Sequence, residues 1–435
     1  MGRRHEVNRQ LLTNSRWYSK TMWQGFIFFC FSLTTFAACT LIFKPTPITR
    51  ETALIRIDPC ECPDFIDDMD LASTRQGALR SLEYLKRLPP TVQFQFGPDT
   101  FPAAHVARSL ETFLDILDSA PTPTELRDRL KELFWIYRSI GADGKGKILF
   151  TGYYEPVMRG SLVRTEVYRY PIYRQPDDWT RIDLGLFDLN LSGQYIIGRH
   201  REHSVVPYYT RREIDMAGQL KNQGYELVWV RDPIGLFFLH IQGSGEVVLE
   251  DGIVLKVHYS CSNGHEYRSI GRLLIDEGKI SPEQMSMQRI MAYLKSHPED
   301  VERILSHNQS YIFFEIIDEG PLGSLEVPLT PGRSIATDNK LFPKGSLAFI
   351  HTEKPLIAKD GTIRTWIDCS RFVFNQDTGG AIKGAGRVDL FCGKGEYAEL
   401  VAGHMKQYGA LYFLVLKEGA TSPLSRKDML SCDTK

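Results

Sequence analysis

Neither sign of charge dominates this 435-residue chain: 52 lysines and arginines face 53 aspartates and glutamates, a formal net charge of −1. A general nucleic-acid binder would show a basic face, so no nucleic-acid partner is expected. No internal repeat is evident, and no repeat architecture is read. Metal-ligand spacing is missing too. Cys60-Glu61-Cys62 is too tight for a zinc half-site, and no matching Cys/His pair follows. Arg199-His200-Arg201-Glu202-His203 lacks the order of the zinc-protease helix, and the flanking Gly198 and Val205-Val206-Pro207 suggest a solvated loop. No metal and no cofactor are expected. Only one Asp-Thr-Gly triplet occurs, Asp377-Thr378-Gly379, and polar Asn375-Gln376 precede it. An aspartic protease needs two such loops sharing a proton, from one chain or a dimer, so that reading carries little weight.

Long uncharged apolar runs are also scarce. The one present covers about residues 22–43, after Arg3, Arg4, Arg9, Arg16 and Lys20 and before Lys44. It reads as a signal peptide or a membrane anchor with its basic end left in the cytoplasm. Its length is near the ~20 residues that span a bilayer, so length does not separate the two. Phe36-Ala37-Ala38-Cys39 adds a third reading, a lipoprotein cleavage site with lipidation at Cys39, although Phe36 stands where leucine is usual. All three place the remaining chain outside the cytoplasm, and the anchor and lipoprotein readings also tether it to a membrane. Of the eight cysteines, six lie beyond this segment; export permits disulfides, but spacing does not give their pairing.

The length allows roughly two or three domains. Residues 1–44 are the leader or anchor, and residues 45–62, rich in Pro and Thr, read as a linker. Helices follow. Val106, Leu110, Phe113, Leu114 and Leu117 keep helical spacing, and Thr122-Pro123-Thr124-Glu125 is a capping start for a face of Leu126, Leu130, Leu133, Phe134 and Tyr137. From about Ile148 short strands and turns take over. Ile148-Leu149-Phe150-Thr151-Gly152-Tyr153-Tyr154, Leu227-Val228-Trp229-Val230 and Gly235-Leu236-Phe237-Phe238-Leu239-His240-Ile241-Gln242 all read as strands. Helical interruptions are expected near residues 210–220 and 269–277, and another starting at Ser281-Pro282-Glu283-Gln284. After about Ser310 the chain is strand-rich. The pattern is α+β, mainly β, and favours a barrel over a doubly wound sheet.

Asp377 and Asp389 are the chief chemical candidates. A glycine-rich loop joins two strand-like runs, each carrying one acid, with Val373, Phe374, Val388, Leu390 and Phe391 close by. Acids among apolar neighbours tend to hold their protons, which glycosidic cleavage requires of its general acid. Asp338 is a third acid in a turn context, where capping is its ordinary role. Tyr153-Tyr154-Glu155 and Gln242-Gly243-Ser244 offer flat rings and hydrogen-bonding groups suited to sugars.

Together these stretches resemble the membrane-bound lytic murein transglycosylase A family. The resemblance lies in Phe150-Thr151-Gly152-Tyr153-Tyr154-Glu155-Pro156, Pro207-Tyr208-Tyr209-Thr210-Arg211, His240-Ile241-Gln242-Gly243-Ser244-Gly245, Tyr267-Arg268-Ser269-Ile270-Gly271, Thr330-Pro331-Gly332-Arg333-Ser334-Ile335-Ala336-Thr337-Asp338 and the segment from Asp377 to Asp389. It implies a double-psi β-barrel from residues 63–152 and 310–420, an inserted smaller β-domain at 153–309 and a tail at 421–435. It further implies a monomer at the periplasmic face of the cell envelope, acting on peptidoglycan glycan strands. Asp389 would be the single general acid/base, Asp377 its partner and Asp338 a structural acid. Tyr153, Tyr154, Glu155, Gln242, Gly243, Ser244, Gly379 and Lys383 would meet substrate. A two-carboxylate muramidase and a non-catalytic wall-binding protein are the alternatives.

Overall fold

A computed structural model describes residues 47–119 and 122–420. The leader, Cys39 and the C-terminal tail lie outside the described residues. Among the described residues, no helix is long and apolar enough to cross a membrane.

The main sheet closes on itself. Ile148–Glu155, Ser334–Ala336, Leu347–Ile357, Ile363–Asp377, Arg387–Lys394 and Gln407–Leu416 form a ring of six strands. Closure comes from pairing of Gln407–Leu416 with Ile148–Glu155, Gln407 opposite Phe150. Two pairs in the ring are parallel: Ser334–Ala336 with Ile363–Asp377, and Arg387–Lys394 with Ile148–Glu155. The expected mixed α+β barrel is thus present. Its interior is apolar, with Phe150, Ile335, Phe349, Phe374, Val388 and Phe413 buried.

Two helices, Leu71–Arg87 and Ala103–Ser119, cover one side of the barrel. Asp70 caps the first by accepting from Ser73 N at 2.7 Å. This helix runs so close to the barrel that a Cβ on Gly77 would fall 2.4 Å from the Phe374 ring, so glycine is required there. Thr122 caps Pro123–Leu133 as expected, but that helix stops at Leu133. Phe134 and Tyr137 belong to the strand Phe134–Ser139, whose edge pairing overrides the helical spacing.

Several expectations are corrected here. The segment read as a linker carries the strand Leu54–Arg56, paired with Phe134–Ser139, and Ala53, Leu54 and Ile57 are buried. Apolar residues inside a Pro/Thr-rich stretch make it part of the core. The return to the barrel comes later than residue 310, because Ile312–Ile317 pairs with Val254–Ser262 in the inserted domain. Pro233–Gln242 is a helix, not a strand: Asp232 caps it, Pro233 opens it and Gly243, at φ 82°, closes it. It is apolar around most of its circumference, and a short buried helix of that kind shows no helical period. The helix expected from Ser281 begins at Met287 with Ser286 as its cap. Arg199 and His200 lie on the strand Tyr195–Arg201, not in a loop.

The inserted domain has a six-stranded sheet with Ile312–Ile317 and Tyr170–Tyr173 at its edges, and a separate three-stranded sheet of Trp179–Asp183, Tyr195–Arg201 and Ser204–Pro207. Fully enclosed Arg211, bonded to Asn308 O and Ser310 O, ties its helix Arg211–Asp215 to the segment before Ile312.

Candidate active site

The two acids flank one short strand. Ala336 is the ladder partner of Asp377 on one side and of Asp389 on the other. Two strand spacings, about 10 Å, therefore separate their backbones. A proton shared between carboxylates about 3 Å apart, as in aspartic proteases, does not match this layout.

The Ser334–Ala336 strand is held from beneath. Arg333, with no exposed surface, pairs with Asp67 at 2.6 Å and donates to Phe372 O and Asp70 O. Ser334 Oγ donates to Gln376 Oε1 at 2.6 Å, and Gln376 Nε2 donates to Gly77 O at 2.8 Å. Asn375 donates to Pro343 O and accepts from Thr337. The polar lead-in before Asp377 is thus a set of buried anchors. They fix the level at which Asp377 leaves the barrel.

Asp377 has both oxygens engaged. Oδ1 accepts from Ser324 N at 2.9 Å and Thr378 N at 2.8 Å, and Oδ2 accepts from Tyr153 Oη at 2.8 Å. Burial raises its pKa, while these donors pull it down. The Tyr153 hydroxyl is pushed far upward by burial and by Asp377, so it stays a donor. Its ring rests on Phe391, centroids 5.2 Å apart.

Asp389 is freer. Oδ1 accepts from Thr151 Oγ1 at 2.7 Å, and among the described residues Oδ2 takes no hydrogen bond. Thr151 in turn receives a long contact from Arg387 Nη2 at 3.4 Å. Burial first of all lifts the Asp389 pKa to about 6; Thr151 and Arg387 oppose it, and the charge of Asp377 adds the least. Desolvation, and not repulsion from Asp377, is thus what chiefly holds the proton on Asp389, as expected for an acid among apolar neighbours. One half-buried acid, poised near neutrality with one free oxygen, can give and take a proton.

Asp338 serves the loop between the acids. Its carboxylate accepts from Gly384 N at 2.7 Å and Lys340 N at 3.0 Å. Gly384 sits at φ 81°, a left-handed turn that favours glycine. Gly379 and Lys383 lie on this loop, Gly379 half-buried and Lys383 exposed.

The remaining candidates divide by burial. Gln242 and Gly243 are partly exposed, and Gln242 Oε1 accepts from Tyr154 N at 3.0 Å. Tyr154, Glu155 and Ser244 are buried, with 6%, 3% and 9% of their surface exposed. These three pack where the barrel strand passes into the insert and present little surface to a ligand. Glu155, pushed up to about 7 by burial and by Glu246, is a junction acid. Three participants were not singled out in the sequence. Thr151 shares a strand face with Tyr153 at i, i+2, so period-two reading could have found it. Arg387 precedes Asp389 by the same interval. Ser324 carries no sequence signal, since it meets Asp377 only through the crossover loop.

The 380 Å³ cavity lined by Met69, Arg371, Cys369, Cys392 and Tyr397, among others, includes neither acid. Among the described residues no group of three His, Cys, Asp or Glu side chains could hold a metal, and Cys60, Cys62, Cys261, Cys369 and Cys392 are free thiols.

Fold and site together define a class: a closed β-barrel that carries two acids on its wall and a sheet domain inserted in its chain. A family model described as the MltA specific insert domain matches residues 149–315, and one described as the 3D domain matches residues 333–415. The chain is 33% identical over 288 residues to membrane-bound lytic murein transglycosylase A of Escherichia coli K12, covering 66% of this chain and 70% of that protein. The Vibrio cholerae protein of the same name is 33% identical over 286 residues, 65% of this chain and 69% of that one. The chain belongs to the membrane-bound lytic murein transglycosylase A family. A solved structure of a membrane-bound lytic murein transglycosylase from Agrobacterium tumefaciens aligns with a TM-score of 0.69 at 29% identity, over 84% of this chain and 98% of that chain. E. coli MltA with bound chitohexaose aligns with a TM-score of 0.63 at 26% identity, over 86% of this chain and 97% of that chain.

Proposed function

We propose that this protein is a lytic transglycosylase cleaving the β-1,4 bond between N-acetylmuramic acid and N-acetylglucosamine in peptidoglycan, with Asp389 as the only general acid/base. Family membership supports the substrate and the reaction class. The observation that carries the mechanism is the contrast between the acids: Asp389 has a free oxygen, whereas both oxygens of Asp377 are engaged by donors.

Protonated Asp389 donates from Oδ2 to the glycosidic oxygen, and an oxocarbenium-like centre develops at C1 of the muramic acid. The ionised carboxylate, still held by Thr151, then takes the proton from the same sugar's C6 hydroxyl. That oxygen attacks C1 and closes the 1,6-anhydro ring. The nucleophile is already on the substrate, so proximity replaces an activated water. A hydrolase would need a second carboxylate to activate water or attack C1. Asp377 is a positioning residue: it gathers Tyr153 on the strand entering the insert and Ser324 on the loop returning from it. Asp338 shapes the loop between the acids. Tyr153, Gln242, Gly243, Gly379 and Lys383 are the proposed glycan contacts. The barrel and insert are the working halves, and the N-terminal segment tethers them to a membrane on the periplasmic side.

Asp389→Asn tests the reading. Release of 1,6-anhydromuramic ends should vanish while binding to sacculi persists. Retained cleavage by the variant would remove Asp389 from its role, and unchanged background in both proteins would favour a wall-binding protein.

A further inference from the structure

The three-stranded sheet of the insert carries an arginine array that the cleavage reaction does not use. Directly opposed residues share a face in an antiparallel sheet. Trp179 stands opposite Arg199, Arg181 opposite Ile197, Asp183 opposite Tyr195, and Arg201 opposite Ser204. Arg181, Arg199 and Arg201 therefore lie on one face, with Tyr195. The same face packs on the end of the Val254–Ser262 strand: Trp179 Nε1 donates to Ser262 O at 2.8 Å, and a Cβ on Gly264 would lie 2.5 Å from Ile197 Cβ.

From there a bonded path runs back to the acids. Tyr259, on the Val254–Ser262 strand and 42% exposed, donates its amide to Gly243 O at 2.8 Å. Gln242, next in the chain, accepts from Tyr154 N, and Tyr153 beside it donates to Asp377. The array is thus linked through the insert's strands to the strand that carries Tyr153.

Its charges differ in how they are used. Arg199 lies 3.9 Å over the ring of Tyr209. Arg181 lies 4.3 Å over the ring of Tyr195, which is itself 55% exposed. Among the described residues none of the three arginines is within ion-pair distance of a carboxylate. Asp183, an acid on their face, accepts from Gly185 N at 2.9 Å, and Glu213, held below the usual carboxylate range chiefly by its bond from Thr210, also feels Arg199. A guanidinium drawn over a ring by cation–π attraction still has N–H donors to offer a carboxylate.

We propose that Arg181, held by Tyr195, is a specificity-determining residue that binds a carboxylate of the peptide stem on a muramic acid residue lying along the insert. The idea rests on the peptidoglycan reading above. On a stem-bearing strand the lactyl carboxyl is used in an amide link, so the free carboxylates are on the peptide and not on the sugars. The sheet would then distinguish strands with free stem carboxylates from strands in which these are blocked, while cleavage stays with Asp389.

The test compares stem-bearing glycan strands with the same strands whose peptide carboxylates have been amidated, because stripping by an amidase would expose a lactyl carboxylate on every muramic acid; it uses the full chain and reads anhydro ends by mass spectrometry. Arg181→Gln should raise KM on stem-bearing strands by up to about fivefold, the most an exposed ion pair supplies, and leave kcat unchanged. On amidated strands it should change nothing. Tyr195→Ala should act like Arg181→Gln, Tyr195→Phe should retain wild-type behaviour, and added salt should shrink the difference. Equal effects on both substrates, or no effect on either, would overturn the proposal. The same pairs are measured for binding in the Asp389→Asn background. If the wild type makes no anhydro ends, the reaction reading fails, and the binding contrast still decides the role of Arg181.

Discussion

Replacing Asp389 by Asn should stabilise the protein, and only above acid pH. Burial lifts this carboxyl from an ordinary 3.8 to about 6. The native state therefore keeps the proton over a range in which the unfolded chain has already released it. Wild-type stability falls as pH rises through that range, and the full penalty applies above pH 6. A difference of roughly two pH units corresponds to about 3 kcal/mol. Asp389 is half-buried, so solvent screening reduces the expected effect to about 1–2 kcal/mol. Asparagine copies the neutral acid in shape and still accepts from Thr151, so the variant lacks the penalty. Glu155, raised to about 7, titrates in both proteins and cancels in the comparison. Denaturant unfolding of both proteins at pH 4 and pH 8 reads the difference. The two should agree at pH 4, and Asn should be the more stable at pH 8. Equal stability at both pH values would refute the claim that desolvation holds Asp389 protonated.

Three other substitutions separate positioning from chemistry. Thr151→Val removes the bond that favours ionised Asp389, so the alkaline limb of the kcat/KM profile should move to higher pH; an unmoved limb would show that Thr151 does not set the acid. Tyr153→Phe keeps the ring on Phe391 but frees Asp377 Oδ2. A hydrogen bond to a charged group is worth about 1.5–3 kcal/mol, so kcat should drop about tenfold or more with little change in KM. Arg333→Ala leaves Asp67 without its buried partner and should cost about 3–5 kcal/mol in denaturant unfolding, far more than removal of an exposed arginine.

Parts of this architecture were legible in the sequence because local chemistry decided them. Thr122 and Pro123 start a helix where the capping pattern says, and the barrel strands near Asp389 show their apolar alternation. The acids were legible through the glycine-rich loop between apolar runs. Their relation was not: a third strand, Ser334–Ala336, lies between them, and its anchor Arg333 meets Asp67 from far away in the chain. Pro233–Gln242 reads as a strand in sequence because a helix buried on most sides has no polar stripe. The strand at Leu54–Arg56 was hidden in a Pro/Thr-rich stretch, since its partner is Phe134–Ser139. Ser324 reaches Asp377 through a crossover loop that no local pattern marks.

The central claim is that one carboxylic acid cleaves the glycan without water. The most direct measurement is the mass of the products from purified peptidoglycan digested by the wild-type protein. The account predicts fragments ending in 1,6-anhydromuramic acid, lighter by one water than hydrolysis products and without a reducing end. Reducing muramic acid ends as the main product would contradict it, because they would require a water-activating carboxylate that the engaged Asp377 does not supply.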